Sequence, residues 1–280
     1  MSAVIRSGVG PVPMAPIPAT VAGRVTQARV VRAEWTKLRA LRSTRWCGLL
    51  VVVLIVGLAA AIGGSGAPYT ISAANSAAGG VSLSLIGIVI AQLVLGVLGV
   101  LAFSGEYGTG MIRATLAVVP SRLPVLWAKL IVLVGLVLPL SLLAAVAGFF
   151  AATALESSRG GSAISLADPG VLREVAGSSL YLAVIAVIGL ALGALLRKTA
   201  AGLSVFAAVF FVVPIVAAYL PPSIKGFVPY LPSNAGGDIW GAGKLFGGQQ
   251  LSPWGGFAVL CGYAVVLIGL AAWQLRRRDA

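Results

Sequence analysis

Histidine is absent from this 280-residue chain. Its absence removes His-based proteases, HExxH zinc sites and imidazole-ligated haem together. Acids are nearly as scarce, with 7 Asp and Glu against 20 Lys and Arg. Only two cysteines are present, Cys47 and Cys261, each in or beside an apolar run. They read as small buried hydrophobes rather than a disulfide or a metal pair. Charged residues of both signs make up 10% of the chain, far below the quarter typical of soluble domains. In their place stand 59% hydrophobic residues and a mean hydropathy of +1.03. The composition is that of an integral membrane protein. The net charge of +13 does not point to nucleic acid, because the basic residues cluster beside apolar runs. That clustering is the pattern of membrane orientation and anionic-lipid contact.

Residues 1–23 hold Pro11, Pro13, Pro16 and Pro18 among small residues and read as a flexible tail. No apolar core follows the early Arg6, so a cleaved signal peptide is not expected. Residues 24–45, RVTQARVVRAEWTKLRALRSTR, carry seven bases. Val31, Trp35 and Leu38 form a helical stripe, which predicts an amphipathic helix at the membrane surface. This face serves either as a solvated positive-inside signal or as a docking surface. Glu34, the one acid there, meets Lys37 or Arg39 only imperfectly in this reading.

Six apolar spans fill residues 46–280, each near the roughly 20 residues a bilayer core requires. They are expected at about 46–62, 81–103, 126–155, 175–196, 201–220 and 254–275, with a kink at Pro139. The segment 221–253 is rich in Gly, Pro and aromatics and reads as an outer loop with a short re-entrant or interfacial piece. With both termini on one side, 16 of the 20 Lys and Arg fall on that side. The positive-inside rule then puts both termini in the cytoplasm. No internal repeat is visible, and the spans carry few ionisable groups, Gln92 being the most polar residue within one. A secondary transporter with an ion-coupled acid at membrane depth is therefore not supported.

Catalytic motifs fail one by one. Gly243-Lys244 is followed by Leu245 and has Asp238 where a Walker A loop needs its first glycine. Gly236-Gly237-Asp238 has no second acid to pair with. Gly63-Gly64-Ser65-Gly66 has no nearby His or Lys to activate the serine. The expectation is a chain with no catalytic residue, no cofactor and no metal of its own.

The informative polar stretch is Ser104–Lys129, SGEYGTGMIRATLAVVPSRLPVLWAK, set between two long apolar runs. Gly108 and Gly110 permit a sharp turn out of the membrane. Thr109 can cap a short helix over about 110–119, with Ile112, Leu116 and Val119 on one stripe and Pro120 ending it. Such a stripe packs on its own bundle or is offered to a partner groove. Glu106 either pairs with Arg113 across the turn or touches a partner directly.

The run GEYGTGMIRATLAVVPSR resembles the cytoplasmic loop of type-2 ATP-binding-cassette (ABC) exporter permeases. The likeness rests on Glu106, Gly108, Thr109, Gly110, Ile112, Arg113, Thr115, Leu116, Pro120 and Arg122, with Met111 where Thr or Ser is commoner. AEWTKLRALRSTRW is similar to the same family's entry helix through Glu34, Trp35, Lys37, Leu38, Arg39 and Arg42. The closing RRRDA also looks like that family's C-terminus. The resemblance implies an all-α protein of six transmembrane helices, preceded by an interfacial helix, with a short coupling helix between spans two and three. It further implies a homodimeric permease in the cell membrane, contacting lipid, with export driven by a separate cytoplasmic ATPase that binds ATP and Mg. A non-transporting membrane anchor or sensor that recruits a cytoplasmic protein is the alternative. The apolar spans suit a hydrophobic or amphipathic substrate without choosing one.

Overall fold

The computed structural model describes residues 26–65, 81, 84–111, 123–158, 164–243 and 250–277. Among them there is no strand. Six helices are long and apolar enough to cross a membrane. The chain is an all-α membrane protein. The first helix, α1 (Gln27–Ala40), ends where Leu41 turns extended. The spans are α2 (Arg42–Gly64), α3 (Gly87–Gly108), α4 (Leu123–Ser157), α5 (Val171–Leu196), α6 (Thr199–Ala218) and α8 (Pro253–Arg277). Between the last two lie a 3₁₀ stretch (Pro222–Tyr230), the short α7 (Pro232–Gly237) and a 3₁₀ turn (Asp238–Trp240). Cys47 and Cys261 are free and half-buried on separate helices.

The bundle is built around α5. Within their most apolar windows, 78% of α5 is buried, against 22% for α2, α6 and α8. The peripheral helices bury narrow stripes, such as Val51, Ile55, Ala59 and Gly63 of α2. Their remaining apolar side chains face outward, as lipid-facing residues must. α5 meets α3 along its length through small residues. A Cβ on Gly189 would collide with the Gly96 carbonyl, and one on Gly99 with the Ala186 carbonyl. Backbones this close gain dispersion contacts where lipid offers no hydrophobic drive for helix association. Tyr181 of α5 donates its hydroxyl hydrogen bond to Gln92 Oε1 of α3, satisfying the polar pair inside the bundle.

Pro139 does not break α4, which continues from Leu123 to Ser157. Nearby, the Ser141 hydroxyl donates to the Val137 carbonyl at 2.8 Å, satisfying a buried polar group within the helix. The 35 residues of α4 make a rod of roughly 50 Å, well beyond a hydrocarbon core of roughly 30 Å.

Connectivity places the basic segments together. α1, the start of α2, the end of α3, the start of α4, the α5–α6 turn and the end of α8 share one end of the bundle. Contacts there agree: Ser104 meets Thr199 at 3.1 Å, and the Arg197 guanidinium lies 5.4 Å from the Tyr107 ring centre.

Candidate functional site

α1 forms from good helix formers, Ala, Arg, Leu and Lys among them. Thr26 precedes it in extended conformation, its carbonyl accepting from the Arg29 and Val30 amides. Lys37 and Arg39 in its last turn complement the negative end of the helix dipole. Its buried stripe is Val30, Glu34 and Leu38. Val30 packs on Val125 and Ala128 of α4. Of the sequence-derived stripe, Leu38 is buried as expected, while Val31 and Trp35 give way by one position to Val30 and Glu34. Trp35 is half-buried, and Glu34 takes the central place at 3% exposure.

A carboxylate can sit there because of Lys129. Its ammonium, 4% exposed, uses all three N–H groups. They reach Glu34 Oε2 at 2.8 Å, Glu106 Oε1 at 2.8 Å and the Ala102 carbonyl at 3.0 Å. Lys37 Nζ closes the figure, 2.7 Å from Glu34 Oε1 and 3.1 Å from Glu106 Oε1. Two acids and two bases thus make a neutral ring of four ion pairs joining α1, α3 and α4. Buried charges are tolerable when paired and hydrogen-bonded in this way. Burial alone would push the Glu34 carboxyl up, but Lys129 and Lys37 more than offset it and hold it below its ordinary range. Burial likewise opposes the Lys37 ammonium, and Glu34 and Glu106 outweigh that effect and raise it.

The ring sits where α3 and α4 leave for the loop between them. α3 ends at Gly108, and Gly110 takes the turn in left-handed conformation with φ +71°. The Thr109 hydroxyl donates back to the Gly105 carbonyl at 3.1 Å. That bond closes the end of α3, while the following helix that Thr109 is expected to cap lies outside the described residues. Met111 is 48% exposed. Ile112, Arg113, Thr115, Leu116, and with them the expected coupling helix and any Glu106–Arg113 pair, lie outside the described residues. Glu106 Oε2 is buried and has no hydrogen-bond partner among the described residues.

Of the residues singled out from sequence, Glu34, Lys37 and Glu106 converge, while Arg39 and Arg42 are exposed and join no part of the ring. The expectation of an imperfect Glu34–Lys37 pair is also corrected by the 2.7 Å contact. Sequence reasoning missed Lys129. Its signal was present: it is the one charge inside the apolar run 126–155, and an ionisable group in a span is a functional pointer with a partner to be named.

Six spans, a small-residue core and a ring of buried charge at one end define a multi-pass helical membrane protein without a soluble catalytic domain among the described residues. The family model for the ABC-2 family transporter proteins matches residues 30–215, about two thirds of the chain. This chain belongs to that family and is a membrane permease component. No curated protein matches it.

Proposed function

We propose that the chain is the permease subunit of an ABC exporter, working as a homodimer in the cell membrane and moving a hydrophobic or amphipathic substrate. A separate cytoplasmic ATPase binds ATP and Mg and docks on the loop 108–122 and on the surface of α1. Of the described bases, 11 belong to elements that meet at the α1 end, from Arg29 to Arg45 with Lys129, Arg197, Lys198, Arg276 and Arg277, against Arg173 and Lys225 elsewhere, so the positive-inside rule supports a cytoplasmic position for that end and for both termini. The chain divides on this reading into a tail (1–23), an interfacial helix (24–45) and the permease domain (46–280).

The observation that carries the proposal is the ring of Glu34, Lys37, Glu106 and Lys129. A force on the loop acts on the end of α3 and the start of α4. The ring bonds both to α1, so the three elements move as one body. Because α3 lies against α5 along its length, displacement at the loop reaches the centre of the bundle. Glu106 Oε2, buried and without a hydrogen-bond partner among the described residues, leaves one acceptor at the ring.

Co-expression with an ABC ATPase encoded beside this chain, followed by detergent purification, tests the reading. The expected result is a stable complex whose ATP hydrolysis is stimulated by this chain and weakened by Glu106→Ala or Arg113→Ala. Failure of any ATPase to co-purify would count against the permease reading. A complex without substrate movement would favour an anchor or sensor.

A further inference from the structure

At the end of the bundle opposite the ring, a cavity of about 760 Å³ opens between α3, α5, α6 and the segment 222–243. Its size is within the ordinary range for small-molecule sites, roughly 300–1,000 Å³. The walls are largely apolar, including Val89, Phe210, Phe211, Pro214 and Trp240. Local chemistry shapes one wall. Pro214 lacks an amide hydrogen, so the preceding turn cannot close normally, and residues Ala208–Val212 take a wider π-helical turn. Both Phe210 and Phe211 line the cavity from that turn, and Phe210 is backed by Phe206 with ring centres 4.8 Å apart.

Ile215 lines the cavity and is 59% exposed, so the mouth lies along an apolar face of α6. Val212 and Val216, 55% and 58% exposed, continue that face.

Two charged groups among the described residues line the space. The Lys225 ammonium donates one hydrogen bond, to the Ala218 carbonyl at 2.8 Å. Asp238 is 8% exposed; its Oδ2 accepts the Leu251 amide at 2.9 Å, and no cation among the described residues pairs with it. Burial pushes the Asp238 carboxyl up to about 6, partly opposed by the Leu251 hydrogen bond. A carboxylate held in an aromatic cavity, with no cation among the described residues at ion-pair distance, attracts positive charge more strongly than it would in water. The aromatic faces act in the same direction.

We infer that this cavity is a binding site for a lipophilic monocation, its body packed against Phe210, Phe211 and Trp240 and its charge read by Asp238. This deepens the exporter reading by assigning a ligand class, and it rests on that reading only for the step from binding to transport.

Tetraphenylphosphonium and tetraphenylborate, nearly equal in size and opposite in charge, test it with the purified full chain in lipid nanodiscs. Equilibrium dialysis against empty nanodiscs gives the bound fraction. The expected result is saturable binding of the phosphonium and none of the borate. Asp238→Asn, which keeps an acceptor for the Leu251 amide, weakens phosphonium binding at least tenfold. Ala218→Phe, which fills part of the cavity, abolishes it. Equal binding of the two ions by the wild-type chain overturns the inference without recourse to any variant, as does full phosphonium affinity in a folded Asp238→Asn protein. Preferred borate binding would assign recognition to Lys225 and overturn it too. Because no ATPase is present, cation binding without ATPase recruitment removes only the permease reading, and recruitment without cation binding removes only this inference.

Discussion

Lys129 Nζ lies 2.8 Å from Glu34 Oε2 across 95 positions of sequence, with both side chains 4% exposed. The contact fixes α1 to the bundle by a bond that cannot be replaced by water without exposing the whole helix face. Lys129→Met leaves Glu34 and Glu106 buried with Lys37 alone. Removing one partner of a buried pair costs about 3–5 kcal/mol, and the variant is expected to lose most of its folded yield. Glu34→Gln/Lys129→Met removes one charge of each sign and leaves the Lys37–Glu106 pair at 3.1 Å. It should therefore be less destabilised than the two single changes summed, by about 1–3 kcal/mol of coupling. Fluorescence-detected thermal unfolding of the four proteins measures the cycle. Strict additivity would show that the ring does not act as a unit.

The same ring sets a pH window for docking of α1. Glu34 is held below its ordinary 4.5, so its contribution is complete above 4.5 and is lost as pH falls through the lower folded value. Lys37 is held above its ordinary 10.5, so its contribution is complete below 10.5 and is lost as pH rises through the higher folded value. Docking is thus expected to be flat between these limits and to weaken outside them. Gln27 Nε2 donates to the Pro124 carbonyl at 3.0 Å, which makes positions 27 and 124 a local reporter. Spin labels at both, in a background without Cys47 and Cys261, should show dipolar broadening at pH 7 that fades on acidification well below pH 4.5. Fading between pH 7 and pH 5 instead would contradict the lowered Glu34 carboxyl.

How much of this is legible in sequence depends on whether a residue's role is local or acts across the chain. Six runs of apolar residues announce six spans because a bilayer demands length and hydropathy, both local properties. The span of α3 ends at Gly108 rather than at Phe103, since Ser104 and Glu106 find partners in Thr199 and Lys129 and so need no water. Glu34 reads as an acid only imperfectly paired among nearby bases because its other partner, Lys129, is far away in sequence. The buried face of α1 departs from expectation for the same reason: a hydrophobic stripe is legible, but a buried ion pair that rotates the helix by one position is not. Asp238 looks like a loop residue because the walls around it come from α3, α5 and α6.

The close seam between α3 and α5 makes a separate prediction about stability. Gly99 has no room for a side chain, since its Cβ would meet the Ala186 carbonyl and backbone cannot move aside cheaply. Gly99→Val is expected to cost about 1–3 kcal/mol by overpacking and to lower the unfolding temperature. Gly57 of α2 has nothing within 4 Å of the place a Cβ would occupy. Gly57→Ala should raise stability by roughly 0.5–1 kcal/mol through helix propensity alone. Unfolding midpoints of the two variants against the parent decide it. An unchanged Gly99→Val protein would mean that the seam can open.

The turn at Gly110 separates folding from coupling. Gly105 and Gly110 both have open space where a Cβ would go, but only Gly110 has a positive φ, +71°. An alanine at position 105 fits the helix and should leave both stability and ATPase stimulation intact. An alanine at position 110 must adopt a left-handed conformation, at about 1–2 kcal/mol, or let the turn relax. Relaxation is the easier course, because the residue lies at the exposed exit of α3 and none of the described residues packs on it. The chain would then remain as stable as the parent while the loop leaves α3 in another direction. The expected outcome is an unchanged unfolding temperature for both variants. Stimulation of the partner ATPase should fall about fivefold in Gly110→Ala alone, the equilibrium equivalent of ~1 kcal/mol. Equal stimulation by Gly105→Ala and Gly110→Ala would show that the direction of this turn carries no part of the signal.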